Sequence, residues 1–237
     1  MVLNTSAMSL PESVPTALQF PQPPSGKDTM SDPAATLAWL ETTIATIYLA
    51  ARTPPTQDKP PSLARSAYAN LYTAAHHFCE VTKLARTSPR CDDLYQFLWD
   101  QIRTHCSEVR AHIYAPENST GVDDARHTVE DYLAQWHQFT SLAGLVSRLL
   151  SNLDRAWIKR GIDEGKKDRY FIKDLHNVVW KNEILKVGVD STEAEQIVSA
   201  VKRLREQPDD GFEGDKALVD SFVESLEDIG VRPVGGD

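Results

Sequence analysis

The feature that most constrains this chain is a helical spacing of apolar residues, which begins near residue 31 and continues almost to the end. Apolar residues recur three and four positions apart, and β-branched residues almost never alternate with polar ones in a period of two. Such spacing buries one face of each helix against other helices. The sequence therefore predicts an all-α fold, packed either as a bundle or as a solenoid.

Local signals divide this pattern into helices. Asp32 followed by Pro33 is typical of a helix start, because aspartate caps the first turn and proline fits its first position. A linker with four prolines, residues 52–61, separates this helix from a second one at about 62–84. The fourth pattern continues as far as Trp157, which fits either one long bent helix or two helices.

Charge and composition narrow the function classes. The 237 residues carry a net charge of −9, whereas a nucleic-acid-binding protein needs a concentrated basic face. We find no run of the roughly 18–20 apolar residues that a membrane-spanning helix needs. We therefore expect neither a nucleic acid nor a membrane as partner. Three widely spaced cysteines suit reduced thiols, which predicts a location in the cytoplasm and nucleus.

Signatures of catalysis and of metal binding are missing from the sequence. It has no glycine-rich phosphate loop, no Gly-x-Ser-x-Gly elbow and no Cys-x-x-Cys pair. His76, His77 and Cys79 form a tight cluster of metal-capable side chains, but neighbouring helical residues diverge by about 100°. We therefore expect no catalytic residue, no cofactor and no metal.

Two surfaces are candidates for protein binding. Tyr68 and Tyr72 lie four residues apart beside Leu71 and Ala75, a face that can bury aromatic rings while the hydroxyls stay at a wet rim. By itself this stripe also fits a core. The second candidate is a basic cluster that could bind an acidic partner. Clusters of this kind are usually just solvated surface. Its members are Lys159, Arg160, Lys166, Lys167 and Arg169.

Several segments resemble one known family, in the same order along the chain. Residues 68–79 read Tyr-x-x-Leu-Tyr-Thr-Ala-Ala-His-His-Phe-Cys, similar to the family's Tyr-x-x-Leu-Tyr-Thr-x-Val-Tyr-x-Tyr-Cys. Residues 153–160 read Leu-Asp-Arg-Ala-Trp-Ile-Lys-Arg, similar to its Leu-Asn-Arg-His-Trp-Val-Lys-Arg, and residues 163–167 match its Asp-Glu-Gly-Lys-Lys loop. The chain thus resembles the cullins, scaffold subunits of multisubunit ubiquitin ligases, over about 36–229. It is most similar to the SCF-type cullins of fungi.

The resemblance implies a cullin-repeat helical bundle within an elongated, stalk-like stack. Residues 33–165 would form the first repeat, which binds the adaptor, and residues 166–230 would begin the second. Prolines and weak apolar periodicity predict a disordered proline-rich leader at 1–32, before the first repeat, and residues 231–237 are predicted to be a polar tail.

The resemblance also implies a docking site for an F-box adaptor, on the second and fifth helices of the first repeat. Carried over by position, the docking residues are Tyr68, Leu71, Tyr72, Ala75, Leu145, Leu149 and Asn152. The family has tyrosine at the position of Asn152, valine at that of Ala75 and tyrosine at that of His76. These replacements remove apolar area, so we expect weaker docking than is usual in the family.

The implied partners are the F-box adaptor and, through it, an F-box substrate receptor. A complete cullin continues into a region that binds a RING-box subunit, so we expect this chain to be truncated and to bind that subunit only if such a region exists. Cullins position catalytic partners and perform no bond chemistry, so the expected role is that of a non-catalytic scaffold. The alternatives are a helical tethering protein with the same repeat fold and a degenerate, dominant-negative paralogue.

Overall fold

The computed structural model describes residues 17–52, 62–84, 90–114, 122–186, 192–206 and 213–231. Within these ranges β-pairing is limited to one bridge between Leu18 and Leu63, and the predicted all-α class is confirmed. The α-helices are α1 (Gly26–Ser31), α2 (Pro33–Ala51), α3 (Arg65–Leu84), α4 (Cys91–Ile113), α5 (Val122–Leu149), α6 (Ser151–Leu153), α7 (Lys159–Asp163), α8 (Ile172–Glu183), α9 (Thr192–Arg205) and α10 (Glu213–Asp228).

Residues 17–31, here called the N-terminal strap, pack against the first helices. The Leu18 amide donates to the carbonyl of Ser62 over 2.8 Å. The indole N–H of Trp39 donates to the carbonyl of Pro21 over 3.2 Å, and α1 contacts both α2 and α3. These bonds tie the strap to residues that lie far from it in the sequence.

The strap corrects part of the predicted disordered leader, residues 1–32. Helix α1 begins with a capping box in which the Ser25 hydroxyl accepts from the Asp28 amide and the Asp28 carboxylate accepts from the Ser25 amide. Thr29 is fully buried. Prolines and weak apolar periodicity predicted disorder, but local capping and these tertiary contacts order the strap. Residues 1–16 lie outside the described residues.

Helix α2 begins as the sequence predicts, with the Asp32 carboxylate accepting from the Ala35 amide at 3.1 Å and Pro33 in the first turn. By length and composition alone α2 is apolar enough to cross a membrane, and it is the one such helix among the described residues. A core helix of a soluble protein meets the same criterion. Leu40 and Ile47 of α2 are fully buried in the core.

The long fourth pattern forms consecutive helical segments. Helix α5 ends at Leu149, and Leu150 has φ −102° and ψ 20°, which interrupts the regular helix. Helix α6 follows, then a π-helical turn over Asp154–Ile158, then α7. A π-helical turn widens the hydrogen-bonded ring by one residue and so rotates the side chains that follow it. The two alternatives left by the sequence thus resolve into one helical path with a break and a π-helical turn.

The core joins the early and late helices. Tyr48 of α2 and His176 of α8 are fully buried and hydrogen-bonded to each other. Trp180 of α8 packs against Phe139 of α5, with ring centroids 4.6 Å apart. Helices α9 and α10 both contact α5. Helices on either side of the predicted repeat boundary at residue 165 therefore share one buried cluster, and the boundary stays a prediction.

Candidate protein-docking face

Three side chains of α3 follow one another at four-residue spacing along one side of the helix. Tyr68 and Tyr72 are half-buried and His76 is exposed. Each helical residue turns by about 100°, so residues four positions apart lie on the same side of the helix. Because they are not fully buried, these three residues lie beside the buried face of α3 and not within it. We call them the tyrosine flank. Its rings are accessible enough to contact another protein.

Leu71 and Ala75, the other predicted docking residues of α3, lie elsewhere. Both are fully buried in the core. A partner docked on the surface cannot touch them, so the predicted direct contact does not fit their position. They pack beneath the tyrosine flank and hold α3 in place.

The predicted docking residues of the neighbouring helices divide in the same way. Leu145 and Leu149 of α5 are buried, with 8% and 1% of their surface exposed. Asn152 of α6 is half-buried, and α6 contacts α3. Within this set only Asn152 extends the tyrosine flank, and among the described residues its side-chain Nδ2 has no hydrogen-bond partner.

The N-terminal strap covers a different side of α3. A Cβ added at Gly26 would lie 3.0 Å from Cε1 of His77, so this glycine allows α1 to approach α3 closely. His77 and Tyr72 are five residues apart, which separates them by about 140° around the helix. The contact between Gly26 and His77 therefore lies on a different side of α3 from Tyr72.

The two histidines of α3, His76 and His77, lie side by side. The rings of His76 and His77 have centroids 5.9 Å apart and planes tilted by 43°. Within the part of the chain that the structure describes, no group of three or more metal-capable side chains is close enough to share an ion.

Asp154 lies in residues 153–160, the segment that resembles the known family, and it holds two helical segments together. Its Oδ1 accepts from the amide of Ile172, the first residue of α8, over 2.9 Å. The N-cap residue of α8, Phe171, supplies no side-chain cap, so Asp154 replaces it from a distant position. Burial raises the pKa of Asp154 to about 6, although the bond to Ile172 opposes this rise.

Trp157 and Arg169 connect the same block to α4. The guanidinium carbon of Arg169 lies 3.7 Å from the centroid of the Trp157 ring, within cation–π distance. A guanidinium N–H of Arg169 donates to Oδ1 of Asp92 over 2.6 Å. This arrangement fixes the loop before α8 against the start of α4.

The Asp-Glu-Gly segment ends α7. Gly165 has φ +83°, its amide donates to the Ile162 carbonyl over 2.9 Å, and the Lys166 amide donates to the Gly161 carbonyl over 3.0 Å. These are the two bonds of a Schellman motif, whose left-handed residue is usually glycine. Gly165 therefore occupies the position of this turn that requires a left-handed backbone conformation.

The acidic residues of this segment pair with cations of the preceding helical turn. Lys159 Nζ lies 2.8 Å from Asp163 Oδ2, and Arg160 Nε lies 2.8 Å from Glu164 Oε1. Both pairs are exposed and span one helical turn, so they contribute little to stability.

Comparison with known proteins gives the family. The family model for the cullin alpha solenoid domain matches residues 38–233. Cullin-1 of Caenorhabditis elegans is 21% identical over 183 residues, which cover 72% of this chain and 23% of that protein. Cullin-1 of Dictyostelium discoideum is 37% identical over 51 residues, 22% of this chain and 7% of that protein. The matches thus span less than a quarter of the length of these curated relatives. The family match covers most of the chain, which belongs to the cullin family.

Proposed function

We propose that this chain is the receptor-holding part of a cullin scaffold in an SCF-type ubiquitin ligase. It binds an F-box adaptor and, through it, an F-box substrate receptor for ubiquitin-dependent protein degradation in the cytoplasm and nucleus. The observation that carries the proposal is the tyrosine flank, two half-buried tyrosines at four-residue spacing on α3 of a cullin-family chain. In this role the chain performs no bond chemistry.

The tyrosine flank has the physical properties of an interface centre. Fully burying a large apolar side chain contributes about 1.5–3 kcal/mol, and tyrosine frequently dominates the binding energy of an interface. The hydroxyls of Tyr68 and Tyr72 can remain at the polar rim. Leu71 and Ala75 beneath them keep the helix rigid, which lowers the entropy lost on docking.

Two residues make this face more polar than the family pattern. His76 is exposed and Asn152 is half-buried, and each stands where the family has tyrosine. Ala75 acts differently, because it is buried and its small size affects how closely α3 packs. The docking face therefore relies on Tyr68 and Tyr72.

Calorimetric titration of the purified chain with the F-box adaptor, bound to an F-box fragment, tests this function. The proposal expects one-to-one binding with a dissociation constant below about 1 µM, or roughly −8 kcal/mol. Absence of heat from a chain that is helical by circular dichroism would overturn the proposal and favour a helical tether that shares the repeat fold.

A further inference from the structure

A pocket of about 250 Å³ opens between the end of α3, the start of α4 and the segment from α6 to α7. Four of its lining residues are basic and two are acidic. We call it the basic pocket. Those charged residues are Arg90, Arg160, Lys166, Arg169, Asp92 and Glu164, and Thr82, Cys91, Ala156, Trp157 and Gly161 complete the lining.

The basic pocket lies in a stretch whose charge opposes that of the whole chain. Residues 155–169 contain six basic and three acidic residues, a local charge of +3, whereas the chain carries −9. Arg155, Lys159 and Lys167 are exposed beside the pocket. A local positive excess in an acidic protein attracts an acidic partner to that place and repels it elsewhere.

Arg169 gives the pocket a fixed positive wall. Its guanidinium is stacked on Trp157 and bonded to Asp92, and only 12% of its side chain is exposed. A guanidinium held in this way loses little further freedom when it binds an anion. The built geometry distinguishes this wall from a cluster of flexible surface lysines.

Lys166 is placed to receive the anion. Its side chain is exposed, and among the described residues no carboxylate lies within ion-pair distance of it, whereas Arg160 and Arg169 are already paired with Glu164 and Asp92. The turn set by Gly165 directs the chain at Lys166 back toward Gly161, whose carbonyl accepts from the Lys166 amide over 3.0 Å. Lys166 therefore adds an ammonium to the Arg169 side of the pocket.

We propose that the basic pocket docks an acidic peptide segment of a partner protein, with one carboxylate on Lys166 beside the Arg169 wall and further carboxylates on the exposed Arg155 and Lys167. The pocket's lining has a net charge of +2, four basic minus two acidic residues, which complements the negative charge of carboxylates. A nucleic acid needs a broader basic face than this pocket has.

This site is distinct from the tyrosine flank. Thr82, in the pocket, lies ten residues beyond Tyr72 on α3, a rise of about 15 Å along the helix. The two sites consist of different residues, so the inference does not depend on adaptor binding.

Fluorescence anisotropy with a labelled peptide of ten glutamates tests the proposal at low salt. Lys166→Glu should weaken binding at least tenfold. Lys216→Glu is the matched control, since Lys216 is exposed on α10 and its change alters the net charge equally; it should weaken binding less than twofold. Circular dichroism checks that both variants keep their helices.

Other outcomes would overturn the inference. Equal weakening by both variants would mean that the peptide senses only the total charge. Unchanged binding with Lys166→Glu would place the peptide elsewhere. Tighter binding of a single-stranded decanucleotide than of the glutamate peptide, lost with Lys166→Glu, would make the pocket a nucleic-acid site.

Discussion

The hydroxyl of Tyr48 and Nε2 of His176 lie 2.7 Å apart in the core and join α2 to α8 across 128 residues of sequence. Nδ1 of His176 lies 2.6 Å from the Ile172 carbonyl. A carbonyl can only accept, so Nδ1 carries the proton and Nε2 accepts from Tyr48. Both polar groups are therefore paired although no solvent reaches them.

Tyr48→Phe should destabilise the protein by about 1–3 kcal/mol, because it leaves Nε2 of His176 buried without a donor. Urea unfolding followed by circular dichroism measures the change. Tyr72→Phe is the matched control. Tyr72 is not fully buried, so this change should alter the unfolding free energy by less than about 0.5 kcal/mol. Equal effects of the two substitutions would contradict the assignment.

Two buried histidines should make the fold sensitive to acid. Burial lowers the pKa values of His105 and His176 to about 4, whereas an unfolded histidine titrates near 6.5. The unfolded state therefore binds more protons between these values, and the stability present above pH 6.5 is lost as the pH falls toward 4. Urea unfolding at pH 7 and pH 4.5 should show the decline.

His105→Leu should make this decline less steep. Nδ1 of His105 has no hydrogen-bond partner among the described residues, and the ring stacks on Phe139 with centroids 6.0 Å apart. Leucine keeps an apolar contact there and removes one titrating group. An unchanged pH dependence would show that His105 does not contribute to it.

Asp154 should act in the opposite direction. Its pKa of about 6 in the fold exceeds the value near 3.9 of an unfolded aspartate, so its contribution to stability is present at low pH and is lost as the pH rises through 6. Asp154→Asn can still accept from the Ile172 amide. It should raise the unfolding free energy at pH 7.5 by about 1 kcal/mol, allowing for solvent screening of this partly exposed group.

The same comparison at pH 4.5 is the control for Asp154→Asn. Asp154 is largely protonated there in the fold, whereas the unfolded aspartate is still mostly ionised, so the gain should fall to about a third of its value at pH 7.5. A constant difference at both pH values would mean that the substitution acts through packing or capping and not through charge.

Gly165→Ala and Gly144→Ala should have effects of opposite sign. Gly165 has φ +83°, so alanine there is strained and should cost about 1 kcal/mol. Gly144 lies inside α5, where a Cβ would meet only the flexible end of Arg148 at 3.4 Å, and alanine should stabilise by about 0.5–1 kcal/mol. Thermal unfolding of both variants measures the difference, and equal shifts would refute the role of the left-handed turn.

The sequence predicted those features that depend on neighbouring residues. The Asp32–Pro33 helix start and the spacing of Tyr68 and Tyr72 are local, and the structure has both. The N-terminal strap escaped prediction although its Ser25–Asp28 capping box is local, because its other bonds, such as that from Trp39 to Pro21, join distant residues.

The candidate site was predictable in the same partial way. Periodicity identifies which residues share a side of α3, but it does not show that Leu71 is fully buried while Tyr72 is not. The basic cluster was visible in the sequence. Its fixed wall was not, because Arg169 and Asp92 are 77 residues apart.

The most direct test of the central claim is to repeat the adaptor titration with two variants of α3. Tyr72→Glu places a charge on the tyrosine flank, whereas Thr73→Glu places the same charge on the next residue, which is exposed and about 100° away around the helix. We predict that Tyr72→Glu weakens adaptor binding at least a hundredfold, about 2.7 kcal/mol, and that Thr73→Glu changes it less than threefold. Unchanged binding by a folded Tyr72→Glu variant would contradict the docking face.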